Sequence, residues 1–193
     1  QKVRRKRYGR YDRRGIIPNR VSIDDRPAIV NARKHFGDWE GDTVIGKSHK
    51  GALVTLVERK SLYTVIQAVL HKTAGAVRNA VKQALTPHKD RVHTITYDNG
   101  REFTDHEGMA KDLETRIYFA HPYAPWEGGL NENTNGLIRQ YFPKHRDLTT
   151  VTNTEIENAM NKLNHRPRKS LGFRTPYEVF FKTKTSLTVA LQT

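Results

Sequence analysis

Cysteine is missing from all 193 residues, so neither a disulfide nor a thiolate-bound metal can hold this chain together, which fits a reducing interior. Histidine occurs nine times, but without the paired spacing of a zinc site; the closest pair, His88 and His93, flanks a charged turn. Long apolar runs are missing too. None reaches the ~18 residues of a membrane span, and no signal-peptide pattern is visible, so a cytoplasmic protein with no membrane partner is expected. Acid is scarce: 20 Asp and Glu stand against 34 Lys and Arg, a formal charge of +14. That excess predicts salt-sensitive attraction to a polyanion, of which nucleic acid is the commonest.

The charge is unevenly spread. Residues 1–20, "QKVRRKRYGRYDRRGIIPNR", hold nine Lys or Arg and one acid, Asp12, with few apolar groups to bury. Residues 1–34 therefore read as a basic N-terminal arm or linker, in contact with phosphates or simply solvated. Within it, Asp25 is placed to cap a short helix in "DDRPAIVNARKHF". The chain opens on Gln1 rather than Met, from which a preceding segment is expected. Residues 35–182 read as one α/β domain, and 183–193 as a C-terminal tail. "WEGDTVIG", "GALVTLVERK" and "LYTVIQAVL" are strand-like and closely spaced, hence antiparallel. "TAGAVRNAVKQALTPH" puts Val77, Ala80, Val81 and Leu85 on one helical face and stops before Pro87. "VHTITYDNG" and "RIYFAHPY" read as two further strands around the helix "DHEGMAKDLE". Ile156, Met160 and Leu163 make a later amphipathic helix, and Thr175–Pro176 opens a last one. The pattern implies a mixed sheet covered on both faces.

Three acids draw attention. Asp98 ends the fourth strand, where α/β sheets place ligands, although Asn99–Gly100 is also good turn chemistry. Asp38, Glu40 and Asp42 alternate along the first strand and share one side. Of these, Asp42 is nearest mid-strand, and Asp38 and Glu40 are expected at a solvated rim. Glu132, in "NENTNGLIRQYF", shares a helix face with Asn135, Gly136 and Arg139, while Leu137, Ile138, Tyr141 and Phe142 anchor elsewhere. That face has an acid, an amide, a gap and a guanidinium. By itself Glu132 is better read as an acid favoured by a helix N-terminus. Taken together, three converging carboxylates repel, by roughly 3 kcal/mol per pair at ~5 Å and an effective dielectric of ~20. They must take up protons or bind cations. All-oxygen ligands favour Mg²⁺ or Mn²⁺, and two such ions clamp a phosphodiester.

With these residues in view, the chain resembles the DDE transposases of the insertion-sequence-30 family, with a retroviral-integrase-like catalytic core. "WEGDTVIGK", "TYDNGREF", "NENTNGLIRQYFPK" and "LNHRPRKSLGFRTPYEVF" carry the likeness, in that order, from about Arg20 to Phe181. The 34 positions from Asp98 to Glu132 match the family interval. The resemblance implies an RNase H-like fold, a five-stranded mixed sheet flanked by helices. It also implies Asp42, Asp98 and Glu132 as the catalytic, metal-binding triad for two Mg²⁺ or Mn²⁺ ions. A helix-turn-helix region usually precedes the core in the family. None is recognisable here, and the basic arm is expected to be a linker from one. "PWEGGLNEN" departs from the family pattern, since Glu127 and Gly128 replace an amide and a cation.

The expected activity is cleavage of insertion-sequence ends followed by strand transfer into target DNA. A DNA-binding protein that no longer catalyses, or a nuclease that never joins strands, are the alternatives. Asn135, Arg139, Arg166, Arg168 and Lys169 are the expected DNA contacts, the last three in a proline-stiffened basic loop that could also be simply solvated. The expected partners are transposon-end and target DNA in a homodimer or larger assembly, in a bacterial, nucleoid-associated setting.

Overall fold

The computed structural model describes residues 17–122 and 124–183. Five strands form one sheet: β1 (Asp38–Ile45), β2 (Ala52–Glu58), β3 (Thr64–Val69), β4 (Thr94–Tyr97) and β5 (Arg116–Phe119). Their spatial order is β3-β2-β1-β4-β5. β1, β2 and β3 pair antiparallel, as their short connections require. β4 and β5 pair parallel, each reached through a helix. α2 (Ala74–Leu85) precedes β4 and α3 (His106–Leu113) precedes β5; α4 (Gly129–Ile138), α5 (Asn153–Asn164) and α6 (Pro176–Phe181) follow. The short α1 spans Ala28–Asn31. This is the expected five-stranded mixed sheet flanked by helices.

Alternation along the strands makes two cores. Trp39, Val54, Leu56, Ile95, Tyr97 and Phe119 face α2 and α3, whose Val77, Val81, Leu85, Met109 and Leu113 fill that side. Val44, Leu53 and Ile66 face the opposite way and meet Ile138, Phe142, Ile156 and Leu163 from the α4–α5 side. The face read for α2 is buried at Val77, Ala80, Val81 and Leu85. Thr152 and Thr175 close capping boxes at the starts of α5 and α6, the latter with Pro176 at its first position.

Two boundaries differ from expectation. Asp25 caps no α-helix: it closes a 3-10 turn, Ile23–Asp25, capped by Ser22, and Pro27 stands at the N-cap of α1 without a side-chain bond. The proline before Ala28 has no N–H to spare and holds extended backbone, so the helix cannot begin earlier. The described part of the arm is also no free linker. Ile17 is buried in the larger core and Val30 is buried as well. Phe119 N donates to Val21 O at 2.9 Å, and the His106 ring nitrogen bonds Pro18 O at 2.9 Å. Residues 17–30 thus cover the β5 side of the sheet, while residues 1–16 and 184–193 lie outside the described residues.

Gly41 explains one motif position. It faces away from Glu40 and Asp42, and a Cβ there would lie 2.2 Å from the Tyr97 ring, itself fully enclosed. Only hydrogen lets β1 lie this close to that ring. Gly41→Ala is expected to lower stability by about 1–3 kcal/mol through overpacking, read from urea unfolding; an unchanged midpoint would contradict this close contact.

Candidate active site

Asp42 sits on β1 with both carboxylate oxygens held. The Thr43 amide donates to Oδ1 at 2.7 Å, and the Asn135 side-chain amide on α4 donates to Oδ2 at 2.6 Å. Thr55 on β2 supports this arrangement, placing its hydroxyl 3.2 Å from both Asp42 O and Asn135 Oδ1. One helical turn before Asn135, Asn131 donates to Gly41 O at 3.2 Å. The two asparagines fasten α4 to β1 at i and i+4, the spacing that shares a helix face.

Asp98 follows the carboxyl end of β4, and its Oδ1 accepts the Gly100 amide at 2.9 Å. Glu132 enters from the first turn of α4 and is exposed. Asp42, Asp98, Glu132, Asn131, Asn135 and Glu40 all line one cavity of about 730 Å³. A Cβ at Gly136 would meet nothing within 4 Å, and Gly136 is not among the residues that line the cavity. Among the described residues, no three His, Asp or Glu side chains form a ready-made metal cluster. What the fold brings together is an interacting Asp42–Asp98 pair, with Glu132 across the same cavity.

Burial pushes the Asp42 carboxyl up to about 6, and the Asp98 charge adds to the rise against the bonds from Thr43 and Asn135. Burial also raises Asp98, with Glu102 raising it further and Lys72 opposing. Among the described residues, no cationic side chain bonds either acid. Each Asp42 oxygen has spent one lone pair on a donor and keeps another, so an all-oxygen donor set fits a hard divalent cation.

Some residues here are placed differently from the sequence expectation, and others, Arg26, Arg59 and Glu102, gave no signal in it. Asp38 and Glu40 are not a solvated rim: they are 5% and 2% exposed. Asp38 accepts from Thr94 Oγ1 at 2.6 Å, and Glu40 pairs with Arg59 at 2.9 Å. The α4–α5 layer and the 17–30 segment cover that face, so a carboxylate there needs a buried partner. Arg26, also buried, donates to Thr96 Oγ1 at 2.8 Å. Glu102 is 7% exposed and accepts from Thr43 Oγ1 at 2.7 Å and Lys72 Nζ at 2.8 Å. These bonds hold its carboxyl below its ordinary value despite burial. Glu127, the departure from the family pattern, accepts the His121 amide at 2.7 Å and pairs with the His121 ring at 2.8 Å. That ring reaches Asp24 at 2.8 Å and is raised by the two acids, Glu127 first.

The expected DNA contacts divide. Asn135 is committed to Asp42, and Arg139 donates to Ile45 O at 2.9 Å and Phe142 O at 3.4 Å. Arg168 is half-buried against Leu163 O. Arg166 and Lys169 are exposed.

Comparison with known proteins finds relatives of one kind. The Integrase core domain family matches residues 32–125. The transposase for insertion sequence element IS4351 of Bacteroides fragilis is 52% identical over 167 residues, 86% of this chain and 51% of that protein. The InsI transposase of element IS30A from Escherichia coli K12 is 38% identical over 177 residues, 90% of this chain and 46% of that protein. Over most of its length the chain is similar to transposases of the insertion-sequence-30 type. It spans about half the length of these curated relatives. Among solved structures, the HTLV-2 integrase catalytic core in complex with magnesium aligns with a TM-score of 0.57 at 21% identity. The alignment covers 75% of this chain and 96% of that one, and the shared fold is RNase H-like.

Two measurements check this site. The Asp42 carboxyl, followed by carbon NMR in metal-free protein, is expected to titrate near 6 rather than at its ordinary 3.8. The acid is raised in the folded state, so stability falls as pH rises between those values. Asp98→Asn should lower the midpoint, and a midpoint near 4 in the unaltered protein would contradict the description. Arg59→Ala, which strands the buried Glu40 carboxylate, is expected to cost about 3–5 kcal/mol in urea unfolding; a loss below about 1 kcal/mol, the scale of an exposed pair, would show Glu40 to be solvated.

Proposed function

We propose that this chain is the catalytic core of a transposase that cuts DNA at insertion-sequence ends and joins the freed ends to target DNA. The observation that supports this best is the single cavity lined by Asp42, Asp98 and Glu132, in a chain of formal charge +14. Basic surface draws DNA in, yet an acidic cavity repels a phosphate unless cations come between them. Asp42, Asp98 and Glu132 would hold two Mg²⁺ or Mn²⁺ ions. When bound, such ions supply Lewis acidity to the phosphodiester and lower the pKa of water. The HTLV-2 integrase core was solved with magnesium, in keeping with this choice.

The protein's own groups orient the reaction. Asn135 and the Thr43 amide fix the Asp42 carboxylate, so that its remaining lone pairs face the cavity. Asn131 and Asn135 clamp α4, and with it Glu132, at a set distance from β1. Lys72 sets positive charge beside Asp98, held there by Glu102. Water first attacks a phosphorus at the element end, and the bond to the strand's 3′-oxygen breaks, leaving a 3′-hydroxyl. That hydroxyl then attacks a target phosphodiester and displaces another 3′-oxygen, so phosphodiester bonds are exchanged without a covalent protein–DNA intermediate. Joining two ends requires two such sites held together, hence a dimer or larger assembly on DNA.

The test is Asp98→Asn. It is expected to abolish Mg²⁺-dependent cutting and joining of an insertion-sequence end while DNA binding is kept or strengthened by the lost negative charge. Strand joining retained in this variant would overturn the assignment. A gel that resolves joined from merely cut products separates a transposase from a nuclease, and binding without cutting by the unaltered chain would favour the non-catalytic alternative.

A further inference from the structure

The loop between α5 and α6 carries a side chain that the cavity does not explain. Phe173 is 72% exposed, the most exposed large apolar residue described. Its backbone is left-handed, φ 63°, directly after Gly172 at φ 64°. Glycine adopts this conformation freely, but for a bulky aromatic residue it is strained. Burial does not repay the strain.

Nor is the loop loosely built. Arg168 N donates to Arg174 O at 3.0 Å, Phe173 N to Arg168 O at 2.9 Å, and Gly172 N to Lys169 O at 3.1 Å. The half-buried Arg168 is framework here rather than free cation. Behind the loop, Asn164 makes two 2.8 Å bonds to the backbone of Thr64, and the His165 ring stacks on Tyr177 at 4.7 Å. A rigid base therefore holds the phenyl ring outward.

The loop's own charges are of one sign. "HRPRKSLGFRT", residues 165–175, contains four Lys or Arg and no acid. Arg166, Lys169 and Arg174 are exposed, and Arg174 also donates to Glu178 O at 3.1 Å. A second copy of this chain would bring the same positive charge to the contact, whereas a polyanion would relieve it. An exposed aromatic between cations is the arrangement that takes single-stranded nucleic acid, with a base on the ring and phosphates on the cations.

The location matters as well. Asn164 ties the loop to the start of β3, at the β2–β3 hairpin end of the sheet, where Arg59 N also bonds Asp38 O at 2.8 Å. Asp98 lies past the opposite end, where β4 runs out. We propose that the 165–175 loop is a second nucleic-acid contact, separate from the cavity. In it Phe173 stacks on an unpaired base while Arg166, Lys169 and Arg174 take the flanking phosphates. The proposal rests on the reading of this chain as a core that acts on DNA.

The experiment uses the 193-residue chain and an oligonucleotide duplex with a short overhang that carries 2-aminopurine. The unaltered protein should quench the probe by stacking and bind the overhang duplex more tightly than a blunt one. Phe173→Ala should remove the quenching and weaken overhang binding by about 5- to 100-fold, with Phe173→Trp restoring both. Phe173→Gly, which relieves the backbone, should show the same binding loss with a melting temperature no lower than that of the unaltered protein. Overhang preference and quenching intact in Phe173→Ala would overturn the proposal. So would a Phe173-dependent dimer with unchanged DNA binding, which assigns the patch to a second copy, or a lowered melting temperature in Phe173→Gly, which makes the ring a structural anchor. Cutting by the same protein is read separately. If it cuts at an element end and Phe173→Ala binds normally, this inference alone fails; if Asp98→Asn cuts, the proposed function fails instead.

Discussion

The hydrogen bond from Asn135 to Asp42 joins the two halves of the site. A strand and a helix that meet 93 residues apart in sequence must be registered to within a fraction of a turn before two carboxylates can share a cavity. Asn135 supplies that register by gripping the carboxylate itself, and Asn131 repeats the grip on Gly41 O one turn earlier. Poor helix formers stand in α4 because their amides do this work. The apolar anchor of this region comes from Ile138 and Phe142 in the smaller core.

Around this joint the charges are arranged in layers. Deepest lies Glu40, neutralised by Arg59 beneath the cavity. Next come Asp42 and Asp98, each raised by burial and, among the described residues, without a cationic side chain bonded to it. At the edge, Lys72 and Glu102 form a pair that links the β3–α2 connection to the turn after Asp98. A protein that needed only stability would pair the middle layer as it pairs the deepest one. Leaving those acids short of positive charge is a cost to folding, and it makes the site receptive to cations.

Much of this was legible in the sequence because the signals were local. Runs of Val, Leu and Thr marked the strands, Pro87 ended α2, Thr175–Pro176 opened α6, and the order of acidic motifs carried the lineage. The errors were non-local. Alternation put Asp38, Glu40 and Asp42 on one side but could not say what covers that side, and the decisive partner Arg59 lies 19 positions beyond Glu40. For Asp38 the partner is 56 positions away. Asn135 and Arg139 read as DNA contacts because polar residues on an open helix face suggest a ligand; in the folded chain β1 takes up their donors. Phe173 gave no signal, since left-handed backbone at a non-glycine residue is visible only in coordinates.

Divalent-cation binding in the cavity of Asp42, Asp98 and Glu132 is the property on which the proposed chemistry depends. Titration of the protein with Mn²⁺, followed by paramagnetic broadening of assigned backbone NMR signals, addresses this without DNA or turnover. Signals of Asp42, Thr43, Asp98, Asn99 and Glu132 should broaden first, with Asp98→Asn suppressing the effect. Broadening centred on another acidic region, such as Asp105 and Asp112 around Arg78, with the cavity signals untouched, would contradict it.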